Sequence, residues 1–212
     1  MYLVQPPAII RTLGKNFLWR IKTERKEVFL TFDDGPEPTV TLPILEMLEK
    51  KNAHATFFCI GKQVEKHPDV FALLKAHGHA VGNHSHTHLN GWTVKTSTYV
   101  EDVMKCSDVV KSTLFRPPYG RITRQQSTHL QSLFRIVMWD VLSGDFDSTI
   151  TPEKCMSNAM KNVRPGSIIV FHDSLKAKEK VLYVLPRVLD ALQNDGYVFS
   201  AISGQEAKSF KQ

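Results

Sequence analysis

Short runs of β-branched and aromatic residues recur along the chain, separated by stretches whose apolar residues return every three or four positions. The first pattern has the period of a strand and the second that of an amphipathic helix. The runs predict strands over residues 28–32, 55–60, 79–83, 114–116, 134–140, 167–172 and 197–202. The clearest helix is predicted over 99–112, with Val100, Val103, Met104, Ser107 and Val110 on its inward face. Thr98 and Glu101 have the spacing of a capping box at its start. A second helix is predicted over 181–194, kinked or restarted at Pro186, with Leu185, Val188, Leu189 and Leu192 inward and a stop before Gly196. Strands alternating with helices predict parallel βαβ units.

Two closures fit such units, an open doubly wound sheet and a barrel. The polar residues separate them. Asp33 and Asp34 follow the first predicted strand, His84 and His88 the third, Arg116 the fourth, Asp140 and Asp145 the fifth, and His172 the sixth. Reactive side chains spread over the ends of many strands are the mark of a β/α barrel, whereas an open sheet gathers them at one switch point. The expectation is a distorted (β/α) barrel of about seven parallel strands, resembling a TIM barrel.

Composition narrows the class without changing this picture. Of 212 residues, 42% are hydrophobic and 23% charged, which excludes disordered, collagen-like and coiled-coil chains. That length suits a single domain able to bury its own core. No apolar run approaches a membrane span, and Arg11, Lys15 and Pro6-Pro7 interrupt what would be the apolar stretch of a secretory signal. A soluble, cytoplasmic protein is the default expectation. The net charge of +6 is scattered, and no nucleic-acid-binding module is present in the pattern. The three cysteines, Cys59, Cys106 and Cys155, are widely spaced, which predicts free buried thiols.

Four short motifs carry candidate chemistry. Thr31-Phe32-Asp33-Asp34-Gly35-Pro36 ends a strand with adjacent carboxylates. Neighbouring side chains leaving a strand diverge, so one can face a metal and the other a water, although Asp and Gly-Pro also make ordinary turns. Asn83-His84-Ser85-His86-Thr87-His88 carries two imidazoles four apart, a spacing that recurs in zinc hydrolases. Two imidazoles with one carboxylate would leave positions open for water and substrate, and His86 falls out of phase with such a site. Phe115-Arg116-Pro117-Pro118-Tyr119-Gly120 fixes an arginine against a stiff turn whose next N–H is that of Tyr119. Finally, the segment 166–173 holds a buried strand ending in His172.

Taken in order, these motifs resemble the polysaccharide deacetylase (NodB homology) family, carbohydrate esterase family 4, from about Val28 to Ile202. The resemblance implies that Asp34, His84 and His88 bind a divalent metal, usually Zn²⁺, with Co²⁺, Mn²⁺ and Ni²⁺ as alternatives. It implies that Asp33 is the catalytic base, His172 the catalytic acid, Arg116 the residue orienting the base and the Tyr119 N–H an oxyanion donor. Asp145 would support either the arginine or the acid histidine. Phe146, Val170 and Pro118 would line the acetyl pocket. Two departures fall there: Leu142 and Phe146 stand where the family has Asp and Trp, and Val170 where it has Leu. They bear on acyl and sugar preference rather than on metal chemistry. The implied activity is removal of acetyl groups from N-acetylglucosamine-type residues, with an O-acetyl esterase or a non-catalytic glycan-binding relative as alternatives. The expected partner is an acetylated carbohydrate; no nucleic acid and no membrane span are expected, and the protein is expected to be a monomer. A glycan substrate keeps the cell envelope open beside the cytoplasm. The expected organisation is an N-terminal arm, 1–27, packed on a catalytic domain, 28–212.

Overall fold

A computed structural model of the protein describes residues 3–203; the outermost residues of both expected segments, 1–2 and 204–212, lie outside the described residues. A short helix α1 (Ala8–Leu13) precedes β1 (Glu27–Asp33), α2 (Pro38–Lys50), β2 (Thr56–Cys59), α3 (Gly61–Lys66), α4 (Pro68–Ala76) and β3 (Ala80–Asn83). Then come α5 (Thr96–Val110), β4 (Leu114–Phe115), a 3-10 turn (Pro118–Gly120), α6 (Arg124–Leu130), β5 (Arg135–Ile136), β6 (Val141–Leu142), α7 (Pro152–Met160), β7 (Ile168–His172), α8 (Lys178–Asn194) and β8 (Val198–Phe199). The strands lie in the order β5-β4-β3-β2-β1-β7-β6, with β8 beside the start of β1. Every pairing between them is parallel. The curled α/β sheet is the expected irregular barrel.

The curl gives each strand two buried faces, because helices cover the outside while the sheet wraps an inner core. Along β1, Val28, Leu30 and Phe32 pack into the helix layer with residues of α2 and α8. Phe29 faces inward among Phe58, Leu114, Ile168 and Val137. Period-two alternation then puts Thr31 and Asp33 on the inner face above Phe29. The same rule puts Val170 and His172 above Ile168 on β7. Asp33 and His172 are register partners, so neighbouring strand ends deliver both to one mouth.

The sheet does not close between β5 and β6, and the N-terminal segment fills the seam. Leu18 bridges Val137 in parallel, its N–H donating to Ile136 (2.8 Å) and its carbonyl accepting from Met138 (2.8 Å). Ile21 N–H donates to Gly166 O (2.9 Å), and Val4 O accepts from Leu142 N–H (2.8 Å). Leu18 and Ile21 are members of the inner core.

Three local expectations are corrected. The predicted strand over 134–140 is interrupted: it supplies β5, and the chain then re-enters the sheet as β6, which the pattern did not reveal. Asp140 therefore lies just before β6, at the end of the barrel opposite His172. There it accepts from Ser167 Oγ (2.7 Å) and pairs with Arg11 (2.7 Å). Helix α5 starts at Thr96 after Lys95, with no side-chain cap, so Thr98 lies inside its first turn and makes no capping box. Its buried face is Tyr99, Val103, Cys106 and Val110, while Met104 is exposed. Tyr99 and Cys106, semi-polar by sequence, turn the stripe because the Tyr99 ring packs edge-on to Phe115. Helix α8 runs uninterrupted through Pro186 with the expected face inward. All three cysteines are free and buried, and burial pushes their thiols up. Among the described residues no helix is long and apolar enough to cross a membrane.

Candidate active site

The mouth is organised around the end of β1. Asp33 stays on the strand, and Asp34 takes the left-handed backbone (φ 81°), which swings its carboxylate away from that of its neighbour. Asp33 Oδ1 lies 2.6 Å from Arg116 Nη1. Arg116 is wholly buried. Its other contacts are Thr31 Oγ1 (2.8 Å), Met138 O (3.0 Å), Val137 O (3.3 Å) and the face of the Phe58 ring (4.1 Å). Burial pulls the guanidinium pKa down and the Asp33 charge pushes it back. The arginine is thus locked in place, and it holds one oxygen of Asp33 while leaving the other uncommitted.

On the β3 side, Ser85 (φ 62°) and His88 (φ 59°) fold the loop so that the rings of His84 and His88 converge, with centroids 5.1 Å apart. The loop is fixed by α5: Asp102 accepts from His86 N–H (2.9 Å), Thr87 N–H (3.0 Å) and Thr87 Oγ1 (2.8 Å). His84 Nδ1 lies 2.8 Å from Arg116 O. A carbonyl only accepts, so Nδ1 carries the proton and Nε2 presents its lone pair. His84 Nε2 and His88 Nε2 lie 3.5 and 3.2 Å from Asp34 Oδ1.

Asp34, His84 and His88 therefore offer three ligand atoms within 4.8 Å of one another. Asp34 Oδ1 is buried and accepts no hydrogen bond. Burial pushes the Asp34 carboxyl up, but the adjacent imidazoles and the charge of His172 hold it well below the usual carboxylate range. A buried, ionised oxygen with no donor, facing an imidazole whose tautomer is already set, fits a divalent cation. His86 is buried apart from this group, with Nε2 3.7 Å from Glu65.

On the other side of Asp33, His172 Nδ1 and His172 N–H meet the two oxygens of Asp145, each at 2.7 Å. Burial lowers the His172 pKa, yet the charge and hydrogen bond of Asp145, with Asp34 and Asp33, raise it to about 9. An imidazolium with Nδ1 committed to a carboxylate carries its deliverable proton on Nε2. Geometry thus decides a choice the sequence left open: Asp145 pairs with the histidine and not with Arg116. The Phe146 ring stands edge-on to His172 at 4.9 Å, and Val170 is buried one pleat below it.

Tyr119 takes a left-handed backbone (φ 59°) in the 3-10 turn, with Pro118 buried before it. Its ring tilts over His88 at 4.6 Å, so the turn stands on the His88 side. All the candidate residues reach this mouth except Asp140. One carboxylate had been given no role. Asp173 accepts from Gly35 N–H (3.0 Å) and Thr41 Oγ1 (2.7 Å), and its own N–H donates to Asp33 O (3.0 Å). A Cβ on Gly35 would run into this carboxylate, so only glycine fits the turn. Burial, reinforced by Asp34, pushes Asp173 up to about 7 against its hydrogen bonds. Its place beside His172 at a strand end was the available signal.

Comparison with known proteins identifies the family. The polysaccharide deacetylase family model matches residues 20–133, the span that holds Asp33, Asp34, His84, His88, Arg116 and Tyr119. A peptidoglycan-N-acetylglucosamine deacetylase of Bacillus cereus is 31% identical over 87% of this chain and 90% of its own length. A chitooligosaccharide deacetylase of Azorhizobium caulinodans is 30% identical over 86% of this chain and 96% of its own. Among solved structures, a peptidoglycan N-acetylglucosamine deacetylase in complex with 4-naphthalen-1-yl-N-oxidanyl-benzamide superposes with a TM-score of 0.85. It is 28% identical, with 93% of this chain and 95% of that chain covered.

Proposed function

This chain belongs to the polysaccharide deacetylase family, and from that premise we propose that it removes acetyl groups from N-acetylglucosamine-type residues of a glycan, releasing acetate. The observation that carries the reading is the flanking of one three-ligand group by an arginine-held carboxylate and a carboxylate-held imidazolium. Asp34, His84 and His88 would hold the metal, and two nitrogens with one oxygen suit Zn²⁺ first, with Co²⁺, Mn²⁺ and Ni²⁺ also acceptable. When bound, such an ion polarises the acyl oxygen and lowers the pKa of a water.

The chain's own residues do the rest. Asp33 accepts the water proton on Oδ2, because Arg116 holds Oδ1. The Tyr119 N–H donates to the oxyanion that develops on the acyl group. His172 gives the proton on Nε2 to the departing nitrogen, and Asp145 keeps the ring aligned and charged at neutral pH. Phe146 and Val170 beside His172, with Pro118 on the Tyr119 side, would receive the acetyl methyl. All these groups come from one chain, so a monomer suffices. Residues 1–27 act as an arm of the catalytic unit 28–212, in keeping with Leu18 and Ile21 in its inner core.

The test is acetate release from N-acetylglucosamine oligomers, peptidoglycan and an O-acetylated xylan by chelated and by metal-reconstituted protein. Release from the N-acetyl glycans only after reconstitution is expected. Full activity of protein verified to be metal-free would refute the reading, and release from the O-acetyl ester alone would move it to esterase chemistry.

A further inference from the structure

Helix α1 (Ala8–Leu13) buries none of its six residues. Ile9, Ile10 and Leu13 are 69%, 37% and 84% exposed, and at spacings of three and four they form one stripe. So short a helix does not hold in water by itself. Polar ties at its edges hold this one. Arg11 Nη1 pairs with the buried Asp140 at 2.7 Å, and Arg11 Nε donates to Pro6 O (3.0 Å). Ahead of the helix, Gln5 Nε2 donates to Lys161 O (2.9 Å) and Gln5 Oε1 accepts from Asn162 Nδ2 (2.7 Å). Behind it, Trp19 Nε1 donates to Gly14 O (2.9 Å). The chain thus fixes the helix by its polar groups and leaves the apolar stripe in water. A helix that gains nothing by burial and is still tied down marks a contact surface.

Cations bracket the stripe. From Ile9 to Lys26 the sequence has six Lys or Arg against one Glu, and Lys15, Arg20 and Lys22 are exposed. Arg20 Nη1 donates to Pro165 O (3.2 Å), next in the chain to the exposed Arg164. Arg164 Nη2 lies 3.5 Å from the Asp140 oxygen that Arg11 already holds, so two guanidinium groups share one carboxylate oxygen and positive charge is left over. Asp140 is at the end of the barrel opposite His172, and the patch built around it faces away from the mouth. An apolar stripe among cations matches the boundary of an anionic bilayer, whose acyl chains receive the stripe and whose headgroup phosphates receive the Lys and Arg. A second copy of the chain fits it poorly. A twofold contact would set the same cations against each other, and three side chains fall far short of the roughly 800 Å² per partner of a stable interface.

We propose that α1 and the Lys and Arg residues around it seat this protein on the surface of an anionic lipid bilayer, with the mouth turned away from the lipid. Attachment is independent of the reaction, so it stands or falls apart from the deacetylase reading. The test is co-sedimentation of the full chain with vesicles of phosphatidylcholine alone or mixed with phosphatidylglycerol. Binding is expected to the anionic vesicles only, and it should weaken as added salt screens the charges. Ile9→Ser combined with Leu13→Ser should lower the affinity by about 10-fold or more, since two apolar side chains no longer insert. Lys15→Gln should lower it by about 5-fold. These exposed residues lie outside the catalytic machinery, so thermal unfolding and acetate release from a soluble N-acetylglucosamine oligomer should match the wild type. Orientation is read with an environment-sensitive dye on Leu13→Cys or on Leu175→Cys, the latter at an exposed position beside Lys176, which lies over the Phe146 ring at the mouth. The native thiols are buried and do not compete for the dye. Emission from position 13 should shift to the blue on anionic vesicles, and emission from position 175 should not. Absence of binding, equal binding to neutral vesicles, unchanged affinity in the double variant, or a shift at 175 in place of 13 overturns the attachment. A concentration-dependent dimer without vesicle binding also overturns it and makes the stripe a contact between copies. Should the double variant fail to fold, the lipid and salt dependence of the wild type and the two dye positions decide the matter.

Discussion

On one side of the mouth Asp34, His84 and His88 gather on turns, two of them in left-handed backbone, and leave a buried carboxylate oxygen with no donor. On the other side Asp145 and His172 meet through two short bonds and satisfy each other. The first group leaves a buried carboxylate oxygen for which no hydrogen-bond donor is supplied; the second is complete as built. Asp33 stands between them, tied to neither, with Arg116 as its counter-charge. On the proposed reading, the acceptor of the water proton, the ion that polarises the acyl group and the donor to the leaving group fall to separate, separately removable parts.

The largest effect should come from the open side. His84→Ala and His88→Ala should each lower metal affinity and acetate release by about 10³-fold or more, the scale of several kcal/mol of charge stabilisation. His86→Ala, outside the ligand group, should leave metal affinity within about twofold. Metal titration of the three variants checks this, and equal loss in all three would break the division.

Next is the closed side. His172→Asn should slow N-acetyl glycan hydrolysis by about 10²–10⁴-fold, the usual worth of a general acid. It should spare an activated aryl acetate far more, because a phenolate leaves without protonation and an amine does not. Turnover of both substrates at equal metal content decides it; equal impairment would make His172 an orienting group instead.

Removing Arg116 should be felt in stability as well as rate. Arg116→Ala strands a buried Asp33 carboxylate, which costs about 3–5 kcal/mol. Urea unfolding of the chelated protein would show it, and a change under about 1 kcal/mol would mean that Asp33 has other support.

The smallest effect is gradual. The folded pKa of His172, about 9, exceeds its ordinary 6.5, so its contribution to stability is complete below pH 6.5 and is lost as pH rises through 9. Thermal unfolding of the chelated protein across that window should show the decline, and Asp145→Asn should remove it. An unchanged decline in that variant would locate its cause elsewhere.

The same contrast explains what could be read in advance. The long strands β1, β2, β3 and β7 are apolar runs bounded by polar residues, so the residues at their ends were legible as a set. The two-residue strands β5 and β6 have no periodicity to read, and part of their pairing comes from Leu18 and Val4, far away in the chain. Merging them misplaced Asp140 at the mouth. The residues of the three-ligand group lie in sequence at 34 and 84–88, each within a recognisable motif, whereas the partner of His172 is 27 residues away and only the fold pairs them.

The central claim is that two adjacent aspartates, separated by one left-handed backbone step, do different work. Elemental analysis of purified Asp33→Asn and Asp34→Asn, with acetate release measured on the same samples, tests it most directly. Asp33→Asn should keep its metal and lose activity by about 10²–10⁴-fold, whereas Asp34→Asn should lose the metal and the activity together. Equal metal loss in the two variants, or full metal retention in Asp34→Asn, would contradict the account.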